Sequence, residues 1–341
     1  ISSATDSYFA KTPKELSIYE SAILAAALKS PTRLNILSSP EKTKTRASIV
    51  LNRMLTLNLI TKNEYIIAIN NLEKLLINKI FTEESRYFTD WILRRTSKNY
   101  NNVSDIIIKT TLDHKVQSEI EKAVSLILKE REDLEAAVIV LDTNGAVKGM
   151  LGGRSFYKSQ FNRATQSLRQ PGSVFKLFTY LSALELGMDA YDKIEDMPLD
   201  LDGWSPKNYN KKYKGVISIK EAFSISSNVA AIRLQEISGR ENVIQWAKKL
   251  GVSSNLRPER SLSLGTQSIS LIEMTNAYAA IASGGITPFI HGVESISDRK
   301  GNVIYKRQST KRDSAINKII VKNIKILLKS SMDNGTSSNA K

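Results

Sequence analysis

The spacing of apolar residues changes character twice along the chain. Up to about residue 79 it is helical. Leu16, Ile18, Ile23, Leu24 and Leu28 mark a helix over Lys14 to Leu28, which Lys29 Ser30 Pro31 stops. Ile49, Leu51, Met54 and Leu55 mark a second over Pro40 to Leu59, and a third follows over Thr61 to Ile77. Between Phe81 and Leu134 the order loosens. An aromatic patch (Tyr87, Phe88, Trp91) precedes a polar loop from Ser97 to Asp105, a β-like run Ile106 to Ile108, and an amphipathic helix from Val116 to about Lys129. This stretch reads as a connector.

From Ala136 onward the pattern is mixed. Ala137 to Leu141 is a buried strand, Asp142 Thr143 Asn144 Gly145 a hairpin turn and Ala146 to Leu151 the return strand. A second hairpin joins Phe289 to Ile296 with Asn302 to Lys306 through Ser297 to Gly301. Between them, helices are expected over 174–186, 219–238, 241–250 and 269–283, each followed by a glycine (Gly187, Gly239, Gly251, Gly284). The expected fold class is α+β, with one antiparallel sheet completed by distant strands and covered by helices. The expected domains are 1–79, a linker 80–134, and 135–341.

Composition narrows the chemistry. With 341 residues the chain has room for more than one core. Lysine and arginine number 49 against 34 acidic residues, a net charge of +15. Such a balance suits nucleic acid, an anionic membrane or an acidic polymer. No nucleic-acid motif accompanies it, so no nucleic-acid partner is expected; a solvated basic surface and a membrane-facing one both stay open. Cysteine is absent, which excludes disulfides, thiolate metal sites and a cysteine nucleophile. The two histidines, His114 and His291, lie far apart and carry no ligand spacing. No apolar run approaches the roughly 18 residues of a membrane-spanning helix, and no signal peptide is visible.

Within this frame, Arg169 Gln170 Pro171 Gly172 Ser173 Val174 Phe175 Lys176 stands out, because a Pro-Gly turn runs directly into the apolar helix Leu177 to Leu186. A serine in the first helical turn with a lysine three residues on shares one face with it. A serine hydroxyl needs a base to become a nucleophile, and lysine serves when burial lowers its pKa. The helix start also offers N–H groups to an oxyanion. Ser-x-x-Lys recurs at Ser39/Lys42, Ser155/Lys158, Ser297/Lys300 and Ser338/Lys341 without the turn and stripe; the competing reading of Ser173 is a helix N-cap beside a solvated lysine. An acyl-transfer site also needs a proton carrier and a group to hold an amide. Ser226 and Asn228, in Ser226 Ser227 Asn228, supply both types; a polar turn before a helix is the alternative.

Three stretches together resemble the transpeptidase domain of class A, bifunctional penicillin-binding proteins: Arg169 to Lys176, the Ser226 to Asn228 triplet after Pro206 Lys207 Asn208 Tyr209, and Leu262 Ser263 Leu264 Gly265 before the helix with Glu273, Met274 and Ala277 to Ala280. Upstream, Ala4 to Lys11, Leu16 to Leu28, Lys29 Ser30 Pro31 and Asn35 are similar to the last part of that family's peptidoglycan glycosyltransferase domain, and Thr110 Thr111 Leu112 Asp113 with Gln117 to its linker. The resemblance implies an enzyme that polymerises lipid-linked disaccharide and cross-links D-Ala-D-Ala stem peptides. By analogy Ser173 attacks the carbonyl, Lys176 takes its proton, Ser226 relays a proton to the departing D-Ala, Asn228 holds the substrate amide, and the Ser173 backbone N–H is one oxyanion donor. β-Lactams would trap the same serine.

The resemblance implies no cofactor in the transpeptidase domain, a divalent metal for sugar transfer, a membrane anchor before Ile1, and a place on the outer side of the bacterial cytoplasmic membrane. The glycosyltransferase glutamates are expected before Ile1, with Asp6, Glu15 and Glu20 read as surface carboxylates. No Lys-Thr-Gly occurs, although Gly335 Thr336 resembles the segment before it, so a piece cut at both ends and poorly active is expected. A serine β-lactamase shares the serine-lysine start but needs a deacylating water and no helical N-terminal part. A non-catalytic penicillin-recognising sensor or wall-binding scaffold would keep the fold without turnover.

Overall fold

The computed structural model describes residues 2–9, 11–31, 33–36, 39–73, 85–96, 106–131, 133–308 and 316–340. The expected loop Ser97 to Asp105 and the end of the third expected helix, past Glu73, lie outside them. The chain divides into two compact units, Ile1–Arg86 and Tyr87–Lys341.

The first unit holds α1 (Ser2–Phe9), α2 (Ile18–Leu28), α3 (Pro40–Thr56) and α4 (Lys62–Glu73). Ile23, Ala26, Ala47, Leu51 and Leu72 form its core. Glu20, expected at the surface, is instead buried. The reason is local: its carboxylate closes the capping box of α2 on Ser17 and pairs with Lys11 at 2.8 Å. Glu15 lies in the open, and the Asp6 side chain falls outside the described set.

The second unit is built from α5 (Arg86–Thr96), β1 (Ile106–Thr110), α6 (His114–Ile127), β2 (Val138–Leu141), β3 (Val147–Leu151), β4 (Leu168–Arg169), α7 (Lys176–Glu185), β5 (Lys193–Asp196), β6 (Gly215–Ser218), α8 (Ile219–Ser224), α9 (Asn228–Ser238), α10 (Arg240–Lys249), β7 (Ile269–Ser270), α11 (Leu271–Ala282), β8 (Val293–Asp298), β9 (Val303–Lys306) and α12 (Lys318–Asn334). The class is α+β. Every ladder is antiparallel: β1-β8-β9, β2-β3, β4-β7 and β5-β6. Among the described residues, four separate sheets stand where one was expected. Distant strands do pair, since β1 meets β8, and a bridge from Ala146 to His291 links the region of β3 to that of β8. This bridge takes Phe289 to His291 out of the expected hairpin strand, so β8 begins only at Val293.

Residues read as a connector contribute to this unit. Phe88, Trp91 and Ile92 of α5 pack with Ile139, Val147 and Met150 of the β2-β3 hairpin. The larger core surrounds α7, where Phe175, Phe178 and Leu181 meet Leu234 of α9, Trp246 of α10 and Leu327 of α12. Nine of the ten residues of α7 are buried. A helix apolar on all sides belongs in an interior, and its first residue, Lys176, is drawn inside with it.

The helix expected over 219–238 is two helices, α8 and α9, parted at Ile225 to Ser227. Ser227 N donates to Ala222 O at 2.9 Å and Ser226 N to Phe223 O at 3.0 Å, the bond pair of a Schellman stop with Ser226 in the left-handed position at φ +54°. Ser227 then caps α9, its Oγ accepting from Ala230 N. Gly335 docks against the end of α8, and Thr336 N donates to Ser224 O.

Candidate active site

The break between α8 and α9 faces the start of α7. Lys176 Nζ donates to Ser226 O at 2.7 Å, Ser226 Oγ at 3.1 Å and Asn228 Oδ1 at 2.8 Å. An ammonium has three donors, and these acceptors engage all three. Lys176 is 2 % exposed. Burial brings its pKa down from the usual lysine range to about 7, so a large fraction is a neutral amine with a free lone pair at physiological pH.

Ser173 is exposed in the 3-10 turn Gly172–Phe175 that leads into α7, one turn before Lys176, and its carbonyl accepts from Lys176 N. Side chains three apart in such a turn are stacked. The Ser173 hydroxyl is not among the partners of the ammonium. The structure thus joins Lys176, Ser226 and Asn228 by hydrogen bonds, with Ser173 exposed one turn before the lysine.

Two neighbouring segments shape the serine turn. Gly265, at φ +69° after the turn Leu262–Leu264, accepts from Gly172 N, and a Cβ there would lie 2.1 Å from Gly172 O. The turn is tied in turn to α9, because the buried Gln235 Oε1 accepts from Ser263 N at 2.8 Å. On the other side, β4 pairs with β7 just before the Pro-Gly turn, and Tyr278 of α11 donates to Val174 O at 3.1 Å. Glu273 anchors the start of α11. Burial alone would raise its pKa, but hydrogen bonds from Ser253, Ser270 and Ser254 prevail and hold the carboxyl at about 2.

Asn228 is engaged at both ends: Oδ1 accepts from Lys176 and Nδ2 donates to Lys207 O at 3.0 Å. One N–H and one lone pair of the amide stay available to a ligand. A groove of about 640 Å³ lies along the serine turn, lined by Arg169, Pro171, Val174, Ile269 and Met274 among others; it contains none of the four site residues.

Asp196 and Asn208, which tie β5 and the loop before β6 to Ser227 and Asn228, had no assigned role in the sequence reading. The available signal was an aspartate at an inward position of β5, two residues after the buried Ile194. No three His, Asp or Glu side chains converge among the described residues, so they supply no ligand set for a divalent metal. No helix among them is long and apolar enough to cross a membrane.

The penicillin binding protein transpeptidase domain matches residues 136–341, and the transglycosylase family matches residues 1–55. Penicillin-binding protein 2D of Bacillus subtilis is 29% identical over 324 residues, which is 90% of this chain and 47% of that protein. Penicillin-binding protein 1A of Aquifex aeolicus is 30% identical over 405 residues, 89% of this chain and 54% of that one. The chain therefore spans about half the length of these relatives. Among solved structures, penicillin-binding protein 1A from Haemophilus influenzae shares the fold, with a TM-score of 0.67 at 22% identity over 99% of this chain and 72% of that one. PonA1 from Mycobacterium tuberculosis in complex with penicillin V has a TM-score of 0.63 at 28% identity over 71% of this chain and 68% of that one.

Proposed function

The chain belongs to the penicillin-binding protein transpeptidase family, and from that membership we propose that its crevice carries out serine acyl transfer on the D-Ala-D-Ala stem peptides of peptidoglycan. The observation that carries this reading is the lysine: an amine buried at a helix start, with a pKa of about 7, one turn from an exposed serine. In this reading the neutral Lys176 amine takes the Ser173 proton as Oγ attacks the penultimate D-Ala carbonyl. The Ser173 N–H is one donor to the oxyanion. The C–N bond breaks, and the proton passes from Lys176 through Ser226 Oγ to the nitrogen of the leaving D-Ala. An amine of a second stem peptide then attacks the ester and loses its proton to Lys176, which passes it on to Ser173 Oγ as the ester C–O bond breaks and the new amide forms.

Asn228 uses its remaining N–H and lone pair to align the substrate amide. A β-lactam presents a strained amide to the same serine and leaves it acylated. The order of the two family matches, transglycosylase then transpeptidase, is that of bifunctional class A members. The corresponding reading of the whole protein is a polymerase of lipid-linked disaccharide as well as a cross-linker, working at the outer face of the cytoplasmic membrane. No residue of 1–55 is assigned a chemical step in it.

Incubation with a fluorescent penicillin, followed by peptide mass spectrometry, tests the serine. A slow ester at Ser173 that vanishes in Ser173→Ala is expected. Label on another residue, or none after prolonged incubation, contradicts the reading.

A further inference from the structure

Behind Ser226 and Asn228 lies a carboxylate that touches none of the reacting groups. Asp196, the last residue of β5, is fully buried. Its Oδ1 accepts from Asn208 Nδ2 and from Ser227 Oγ, both at 2.7 Å, and its Oδ2 accepts from Lys214 N at 2.9 Å. All three partners are neutral donors. A carboxylate that accepts only determines which way each of them points.

The consequences run toward Lys176 in two short steps. With Nδ2 claimed by Asp196 and by Lys212 O, the Asn208 amide turns its Oδ1 to the start of α9, where it accepts from Asn228 N at 2.8 Å and Val229 N at 3.3 Å. With its proton given to Asp196, the Ser227 hydroxyl presents its lone pair to Ala230 N at 3.1 Å. Both orphan-donor sets at the α9 N-terminus are thereby satisfied. The chain is held in the left-handed turn at Ser226 that aims one carbonyl and one hydroxyl at the lysine.

We propose that Asp196 is a positioning residue: through Asn208 and Ser227 it locks the Ser226 to Asn228 turn against Lys176 and keeps the crevice closed around the amine. Tyr180, one turn beyond Lys176 on α7, also feels Asp196: burial and then the Asp196 charge hold its hydroxyl un-ionised. The inference rests on the acyl-transfer reading for its meaning, though not for its test.

The titration of Lys176 in the 341-residue chain is read without any penicillin, from the pH dependence of its acetylation by acetic anhydride, followed by peptide mass spectrometry. A wild-type midpoint near 7 is expected. Asp196→Asn replaces one acceptor oxygen by a donor, loosens the turn, admits water and is expected to move the midpoint up by about one pH unit, with penicillin labelling at pH 7 reduced about tenfold. Ser227→Ala moves it in the same direction by less, and the double variant goes no further than Asp196→Asn alone, because the two act along one path.

A midpoint unchanged in Asp196→Asn, with only the melting temperature lowered, overturns the proposal and leaves a merely structural carboxylate. Should Asp196→Asn not fold, an unchanged midpoint in Ser227→Ala and Asn208→Ser has the same force. Absence of labelling in the wild type would refute the acyl-transfer reading and leave the Lys176 titration to decide this one.

Discussion

Lys176 Nζ and Asn228 Oδ1 are 2.8 Å apart although 52 residues separate them in the chain. Each side chain belongs to the first residue of a helix, α7 and α9, and this hydrogen bond ties the two helix starts together. That contact places a cation in the interior against three neutral acceptors.

The stored cost should be measurable as stability. The folded lysine pKa is about 7, whereas an unfolded lysine titrates near 10.4. Between these values the unfolded chain binds more protons, so stability rises with pH through the window and is lowest below pH 7. Lys176→Met removes this dependence. Urea unfolding followed by tryptophan fluorescence reports the second unit, which holds Trp91, Trp204 and Trp246. The stability difference between variant and wild type is expected to shrink by about 3 kcal/mol from pH 7 to pH 9.5; parallel curves would contradict a depressed pKa.

Ser226 occupies a backbone position that favours glycine. Ser226→Gly is expected to gain about 0.5–1 kcal/mol by releasing the left-handed serine, while penicillin labelling falls about a hundredfold for want of the hydroxyl. Ser226→Ala should lose labelling equally without the gain. Calorimetry and labelling rates on the two variants check the opposite signs.

This same turn marks the limit of what was legible beforehand. The Asn144-Gly145 hairpin, the glycine stops and the apolar stripe of α7 are written in local chemistry, and the elements form close to where spacing puts them. The break at 225–227 contains neither glycine nor proline, so periodicity ran straight through it. Its signal was the cluster Ser224, Ser226 and Ser227, whose hydroxyls compete with the helix for backbone groups. Lys176, Ser226 and Asn228 could be named from the sequence, but the burial that tunes the lysine comes from α9, α10 and α12, which pack around α7 from distant parts of the chain. The signal for Asp196 was weak for a related reason: an inward aspartate becomes meaningful only once its three donors are known.

Gly265 supports the serine turn by the absence of a side chain. Gly265→Ala puts a methyl 2.1 Å from Gly172 O and strains φ +69°. The expected outcome is a loss of about 2–4 kcal/mol together with at least a hundredfold slower labelling, while Gly187→Ala, at a positive-φ glycine with open space around it, affects stability alone. Equal labelling in both variants would show that the Gly265 contact does not shape the site.

Glu273 should give the opposite pH signature from Lys176. Its folded pKa of about 2 lies below the unfolded value near 4.3. The stability it contributes, about 3 kcal/mol, is therefore complete above pH 5 and is lost as pH falls from about 4.3 toward 2. Glu273→Gln should unfold more easily at pH 7 and converge with wild type near pH 2. A gap that persists in acid would point to packing rather than to the charged hydrogen bonds.

The most direct test of the lysine as base is the pH profile of the penicillin ester at Ser173, taken from pH 5 to pH 9. Labelling is expected to climb tenfold per pH unit in acid and level off above a midpoint near 7, and to disappear in Lys176→Met. A profile flat across that range, or labelling that survives the loss of the amine, would contradict the account.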